Sequence, residues 1–214
     1  MALRIIIADD HEIVRRGLRA VIDEQPSWSV VAEAANGREA VEFASDLRPQ
    51  VVILDLHMPL MNGLEATRQI RATTPQIPVL VLTVQESEQT IREVLDAGAQ
   101  GYLLKSDAGR DLQRAIEALA SGRPFFTSTV ARMVLNGYLT GVSPQLLPNG
   151  HLSPREREIV QMVAEGKTTK EVATELNISP ATAETHRSNI MRKLNLRTVA
   201  DLVRYAVRNQ IVQV

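Results

Sequence analysis

Residues 51–65 read VVILDLHMPLMNGLE. Val51–Leu54 is apolar at every position, the pattern of a strand buried on both faces of a parallel sheet. An acid, Asp55, follows at once. The same unit recurs on either side. Apolar runs stand at Leu3–Ala8, Ser29–Ala34, Pro78–Leu82 and Gly101–Leu104. Helical stripes lie between them. Val14, Leu18, Val21 and Ile22 fall at i, i+4, i+7, i+8, and Leu112, Ala115, Ile116 and Leu119 at i, i+3, i+4, i+7. Gly98 and Gly122 stand where helices should stop. Five strands alternating with five helices predict an α/β doubly wound fold over residues 1–122. Its sheet is five-stranded and parallel, with right-handed crossovers and helices on both faces.

The pattern changes after Arg123. A helix is expected around Thr129–Leu139. The stretch TGVSPQLLPNG holds two Pro and two Gly without periodicity, so residues 123–150 read as a linker with a possible helix. Residues 151–214 carry no strand signal and four helical segments. Ser153-Pro154-Arg155-Glu156 is a capping box with Pro at the first helical position, and Gly166 ends that helix. Thr168-Thr169-Lys170-Glu171 is a second capping box, whose helix Asn177 can end. Ser179-Pro180 starts a third helix, and Thr198 with Asp201 a fourth.

The whole chain of 214 residues has a net charge of −1, which conceals an asymmetry. Residues 1–127 carry 13 Lys and Arg against 18 Asp and Glu, whereas residues 151–214 carry 10 against 7. An acidic first half and a basic tail point to two domains with different partners. Cysteine is absent, so disulfides, thiolate metal sites and cysteine nucleophiles are excluded, in keeping with a reducing compartment. No apolar run approaches the ~18 residues of a membrane span, and MALRIIIADDHE lacks the core and cleavage site of a signal peptide. A cytoplasmic protein without a membrane partner is expected. Aromatics make up only 3%, which disfavours stacking platforms for single-stranded nucleic acid.

In a sheet of this type the functional crevice lies outside the carboxyl ends of the strands. Those ends carry Asp9 and Asp10, Asp55, Thr83 and Lys105. Three carboxylates gathered at one edge repel one another unless a cation lies among them, and Mg²⁺ suits an all-oxygen set. A carboxylate there can attack phosphorus to form an aspartyl-phosphate, and Lys105 and Thr83 supply charge and hydrogen bonds for phosphoryl oxygens. Taken singly, each acid also reads as a helix cap or a loop residue, and Thr83 as an ordinary strand residue; all five residues at strand ends favour a phosphoryl site. A dehalogenase-type phosphatase needs an acid two residues after its nucleophile, where this chain has His57. Neither G-x-G-x-x-G nor G-x-x-x-x-G-K-[ST] occurs, and His11, His57, His151 and His186 form no zinc motif.

In the tail, KEVATELNISPATAETHRSNIMRKL reads as two short helices joined by a tight turn, a helix-turn-helix. Val172, Ala173 and Leu176 form one inner face, and Ala183, Ile190 and Leu194 the other. The outer face of the second helix offers Glu184, Thr185, Arg187, Ser188, Asn189, Arg192 and Lys193. Its N-terminus at Ser179–Thr182 presents N–H groups suited to phosphate. Such a helix can enter the major groove of double-stranded DNA. A small helical bundle that docks protein, behind a receiver acting as a phosphate sink, is the competing reading.

IIIADDHEIVRRGL, VVILDLHMPLMNGLE, VLVLT and GAQGYLLK resemble successive blocks of the receiver domain of bacterial two-component response regulators. Residues 152–207, from LSPRERE to RYAV, look like a LuxR-type helix-turn-helix, and the pairing defines the NarL/FixJ subfamily. The resemblance implies a sheet order of 2-1-3-4-5 and a phosphorylation-dependent transcription regulator that is not an enzyme. It implies that Asp55 accepts phosphate from a sensor histidine kinase. Asp10, Asp55 and the backbone carbonyl of His57 then ligate Mg²⁺ with help from Asp9. Thr83 and Lys105 contact the phosphoryl group, and Tyr102 is the switch aromatic. Thr182 opens the DNA-contacting helix, on which Glu184, Thr185 and Ser188 face base edges. The last helix, near Val199–Arg208, makes a homodimer that phosphorylation promotes. The chain departs from the family pattern at Val84, Ser106, Thr168-Thr169 and Glu184, the last often a Lys.

Overall fold

The computed structural model describes residues 2–84, 87–127, 130, 152–209 and 211–212. The chain divides into two compact units, Met1–Gln145 and Leu146–Val214. The expected helix around Thr129–Leu139 and the Pro/Gly-rich linker lie outside the described residues, Val130 apart.

The first unit alternates strands β1 (Leu3–Ala8), β2 (Trp28–Ala34), β3 (Val51–Asp55), β4 (Val79–Thr83) and β5 (Gly101–Leu104) with helices. These are α1 (Glu12–Asp23), α2 (Gly37–Leu47), α3 (Gly63–Thr73), α4 (Glu88–Asp96) and α5 (Ala108–Ala120). All described strand pairs are parallel, in the order β2-β1-β3-β4-β5-β6. The expected order holds, and a sixth strand extends it. Strand β6 (Phe125–Phe126) adds to β5, with Phe125 N–H donating to the Gln100 carbonyl at 3.0 Å. The sheet therefore runs past residue 122. Two residues carry no periodicity, so this strand exists only through its pairing.

Alternate residues of each strand feed separate cores, which is why the central strands are apolar throughout. Ile6, Ala8, Val52, Leu54, Val79, Val81 and Tyr102 pack on one face with residues of α2, α3 and α4. Ile5, Ile7, Val51, Ile53, Leu80, Leu82 and Leu103 pack on the other, with Leu18 and Ile22 of α1 and the Leu112, Ala115, Ile116, Leu119 stripe of α5.

Register places the site. Ala8 pairs with Leu54, Asp55 with Leu82, and Thr83 with Leu104. Asp9, Asp55, Thr83 and Lys105 therefore share one sheet edge. Gly63 fixes the loop after β3: its N–H donates to the Leu56 carbonyl at 2.9 Å, and a Cβ there would overlap the Asp55 carbonyl oxygen.

Among its described residues the second unit holds four helices and no strand: α6 (Pro154–Ala164), α7 (Thr169–Glu175), α8 (Pro180–Lys193) and α9 (Val199–Arg208). Reciprocal capping boxes form at Ser153/Glu156 and Thr168/Glu171, as the sequence predicts, and Thr198/Asp201, expected to start a helix, forms a third. Left-handed residues follow the helices at Gly166 (φ 89°), Asn177 (φ 50°) and Asn195 (φ 53°). The core is Ile159, Val160, Met162, Val172, Ala173, Leu176, Ala183, Ile190, Leu202 and Ala206.

Candidate functional site

The acidic site is built around Lys105. Its Nζ lies 2.7 Å from Asp9 Oδ2 and 2.9 Å from Asp55 Oδ1. Both acids are buried, whereas Asp10 stands on the exposed rim. The His57 N–H donates to Asp55 Oδ2 at 3.3 Å. Burial pushes the Asp55 carboxyl above the usual carboxylate range, with the Asp9 charge adding to the rise while Lys105 and the His57 N–H oppose it. Burial alone would lower the Lys105 ammonium, but its two carboxylate partners outweigh that and hold it above its ordinary value. His57 is half-buried, and burial followed by the Lys105 charge holds its imidazole below its usual value, which favours the neutral form.

The donor set fits a hard cation. Asp9 Oδ2 is buried and has Lys105 nearby by distance, but no donor aligned for a hydrogen bond. The Lys105 ammonium meets its charge at 2.7 Å, and its remaining lone pairs would suit an oxygen-loving divalent ion. Donor atoms of Asp9, Asp10 and His11 lie within 4.8 Å of one another.

Two contributors escaped the sequence reading. His11 Nδ1 approaches Asp10 Oδ1 at 2.7 Å. Arg15, one turn into α1, donates from NH1 to the Asp9 carbonyl at 2.8 Å and from Nε to Glu33 of β2 at 3.3 Å. Glu33 also accepts from Arg19 at 2.7 Å, and mainly that bond lowers its carboxyl below the usual range. The loop bearing the first two acids is thus tied to β2. The signal was the spacing of Arg15 and Arg19, which puts both on one helix face.

Helix α8 opens with Ser179 capping Thr182 N–H at 3.0 Å. Ala183 and Ile190 point into the core, while Leu194 is partly buried. Thr182, Thr185, Ser188, Asn189, Arg192 and Lys193 are exposed, and Glu184 and Arg187 are half-buried. Arg187 grips Glu184 through Nε (3.2 Å) and NH2 (2.6 Å), and Thr169 Oγ1 donates to the same carboxylate at 3.1 Å. Chiefly the Arg187 bond keeps Glu184 below the usual range. Lys193 reaches Glu156 of α6 at 2.7 Å, and Arg192 donates to Asn189 at 2.8 Å.

Residues 5–117 match the family described as response regulator receiver domain, and residues 150–206 match bacterial regulatory proteins of the luxR family. The transcriptional regulatory protein LiaR of Bacillus subtilis is 40% identical over 210 residues, spanning 98% of this chain and 99% of LiaR. This chain belongs to the NarL/FixJ family of response regulators. The oxygen regulatory protein NreC of Staphylococcus epidermidis is 37% identical, over 99% of this chain and 100% of NreC. Among solved structures, the complex of the two-component response regulator RcsB with DNA aligns at a TM-score of 0.59 and 29% identity. The alignment covers 96% of this chain and 98% of RcsB.

In this response regulator Asp9, Asp55 and Lys105 meet directly, and Thr83 closes the neighbouring strand end, fully buried. Tyr102 is buried in the core cluster that also holds Val130. The exposed residue after Thr83 is Val84, 71% accessible. Two departures from the family pattern, Thr169 and Glu184, are joined in space by a hydrogen bond. Among the described residues no helix is long and apolar enough to cross a membrane.

Proposed function

We propose that this response regulator is switched by phosphorylation of Asp55, with a sensor histidine kinase as donor. The observation that carries the reading is the Lys105 ammonium set between two buried carboxylates at the ends of β1 and β3. The Asp55 carboxylate forms a bond to phosphorus as the P–N bond of the kinase's phosphohistidine breaks and the imidazole leaves. Lys105 follows the charge, leaving the carboxylates for phosphoryl oxygens, and Thr83 offers a hydroxyl from the adjacent strand end. Asp9, Asp10, Asp55 and the His57 carbonyl would hold Mg²⁺, which neutralises phosphoryl charge when bound. Arg15 keeps the Asp9 backbone in place.

The second unit binds double-stranded DNA through α8, whose exposed polar face and N–H-bearing N-terminus suit a major groove. Phosphorylation promotes a homodimer with contacts on α9, where Val199 is 43% exposed. Two tails on one operator raise affinity without any change in base contact.

Acetyl phosphate or phosphoramidate with a divalent cation should add one phosphoryl group to the protein, read by mass, and retard operator DNA more strongly. Asp55→Asn should abolish both. Labelling that persists in Asp55→Asn refutes the assignment.

A further inference from the structure

We propose that Arg187 reads a guanine in each half-site, with Glu184 and Thr169 as its positioning residues. This rests on the reading of α8 as the DNA-contacting helix.

A guanidinium carries five N–H groups in a rigid plane. Here Glu184 takes one edge, Nε–H and one N–H of NH2, in a two-point fork. The remaining N–H groups lie on NH1 and on the outer side of NH2. The outer N–H of NH2 and the adjacent N–H of NH1 form an end-on pair with parallel donors. In the major groove, guanine offers two neighbouring acceptors, N7 and O6, whereas adenine sets a donor beside its acceptor. The edge that Glu184 leaves open therefore matches guanine.

Thr169 belongs to α7, so its 3.1 Å bond ties the carboxylate to a second helix. The carboxylate that grips the guanidinium is thus tied outside its own helix, which cuts the ordering cost of binding. Glu184 itself is a poor base reader: one oxygen accepts from Arg187 and the other from both Arg187 and Thr169. A phosphate role for Arg187 is likewise disfavoured, because the paired carboxylate repels phosphate. Base readout depends on donor geometry and survives the pairing. Among the other cations of this face, Lys193 is drawn to Glu156 and Arg192 to Asn189.

The test measures the full-length, phosphorylated chain against a half-site library at two salt concentrations. The wild type should prefer guanine at one position per half-site, by roughly ten- to a hundredfold. Arg187→Ala should erase that preference and leave the other positions unchanged. Glu184→Ala should relax the same position while raising affinity for all DNA, and Thr169→Val should do so more weakly. The double variant Arg187→Ala/Glu184→Ala should discriminate no worse than Arg187→Ala. Three results overturn the proposal. One is that Arg187→Ala weakens every sequence equally and flattens the salt slope by about one unit, the mark of a phosphate contact. Another is that Glu184→Ala changes preference at a different position, which makes Glu184 the reader. If the wild type retards no DNA at either salt, the DNA-binding reading falls and takes this proposal with it; the first two results leave that reading standing.

Discussion

Replacing Lys105 with methionine isolates the electrostatics of the acidic site. The Asp9 side chain is 0% exposed and that of Asp55 is 5%, and the ammonium sits 2.7 and 2.9 Å from their oxygens. Methionine keeps much of the stem and removes the charge, leaving two carboxylates facing each other. Removing one partner of a buried ion pair costs roughly 3–5 kcal/mol. The Lys105 side chain is 19% exposed, so solvent already screens part of its charge and places the loss near the lower end, about 3 kcal/mol. For a domain of this size that is roughly 10 °C in melting temperature. The assay is a thermal melt of the receiver transition in chelator at neutral pH, repeated at acid pH and with Mg²⁺. The Asp55 carboxyl already lies above its usual value, chiefly through burial, and losing Lys105 raises it further. A group whose folded pKa exceeds its unfolded one favours the folded state when protonated. Its contribution is complete below the unfolded pKa and is lost as pH rises through the folded one. The deficit should therefore be small in acid and full at neutral pH. Mg²⁺ should recover much of it, about 2.7 kcal/mol at a hundredfold excess over Kd. A variant that melts with the wild type in chelator at neutral pH refutes the reasoning, as does a deficit independent of pH.

Four further outcomes follow from particular positions. A Cβ at Gly63 would overlap the Asp55 carbonyl, so Gly63→Ala should cost ~1–3 kcal/mol in denaturant unfolding and slow Asp55 labelling. Gly17 in α1 has open space around its missing Cβ, so Gly17→Ala should stabilise by about 1 kcal/mol. Glu156 caps α6 and holds Lys193, so Glu156→Ala should lose ~1 kcal/mol of stability. It should also steepen the salt dependence of DNA binding by about one unit, measured by retardation across a salt series. Thr83→Ala should leave phosphorylation largely intact but reduce the phosphate-driven gain in DNA affinity; wild-type behaviour in both assays would discard Thr83 as the coupling residue.

Several of these contacts could be anticipated from the chain alone, and others could not. Strands β1, β3 and β4 are legible because two-sided burial demands unbroken apolar runs, and an acid or hydroxyl at each run's end marks the functional edge. The three capping boxes are legible because their bonds close within three residues, as are the stops at Gly166 and Asn177, which need a left-handed backbone. These are local or periodic constraints, and local sequence records them.

The α/β-plus-helical architecture, the strand-end acids and the polar face of α8 are thus written in local residue patterns. Tertiary structure decided the rest. Strand β6 is two residues long and has no pattern of its own; it is a strand because β5 offers it unpaired backbone groups. The placement of Lys105 between Asp9 and Asp55, with Asp10 left on the rim beside His11, depends on the register of four strands distant in sequence. Arg15 bonding the Asp9 carbonyl, Thr169 reaching Glu184 and Lys193 reaching Glu156 all join different elements. Each of those side chains could equally well be drawn in solvent from the sequence alone. Only the packing of the helices and strands that carry them selects one partner, and residue type and spacing do not record that choice.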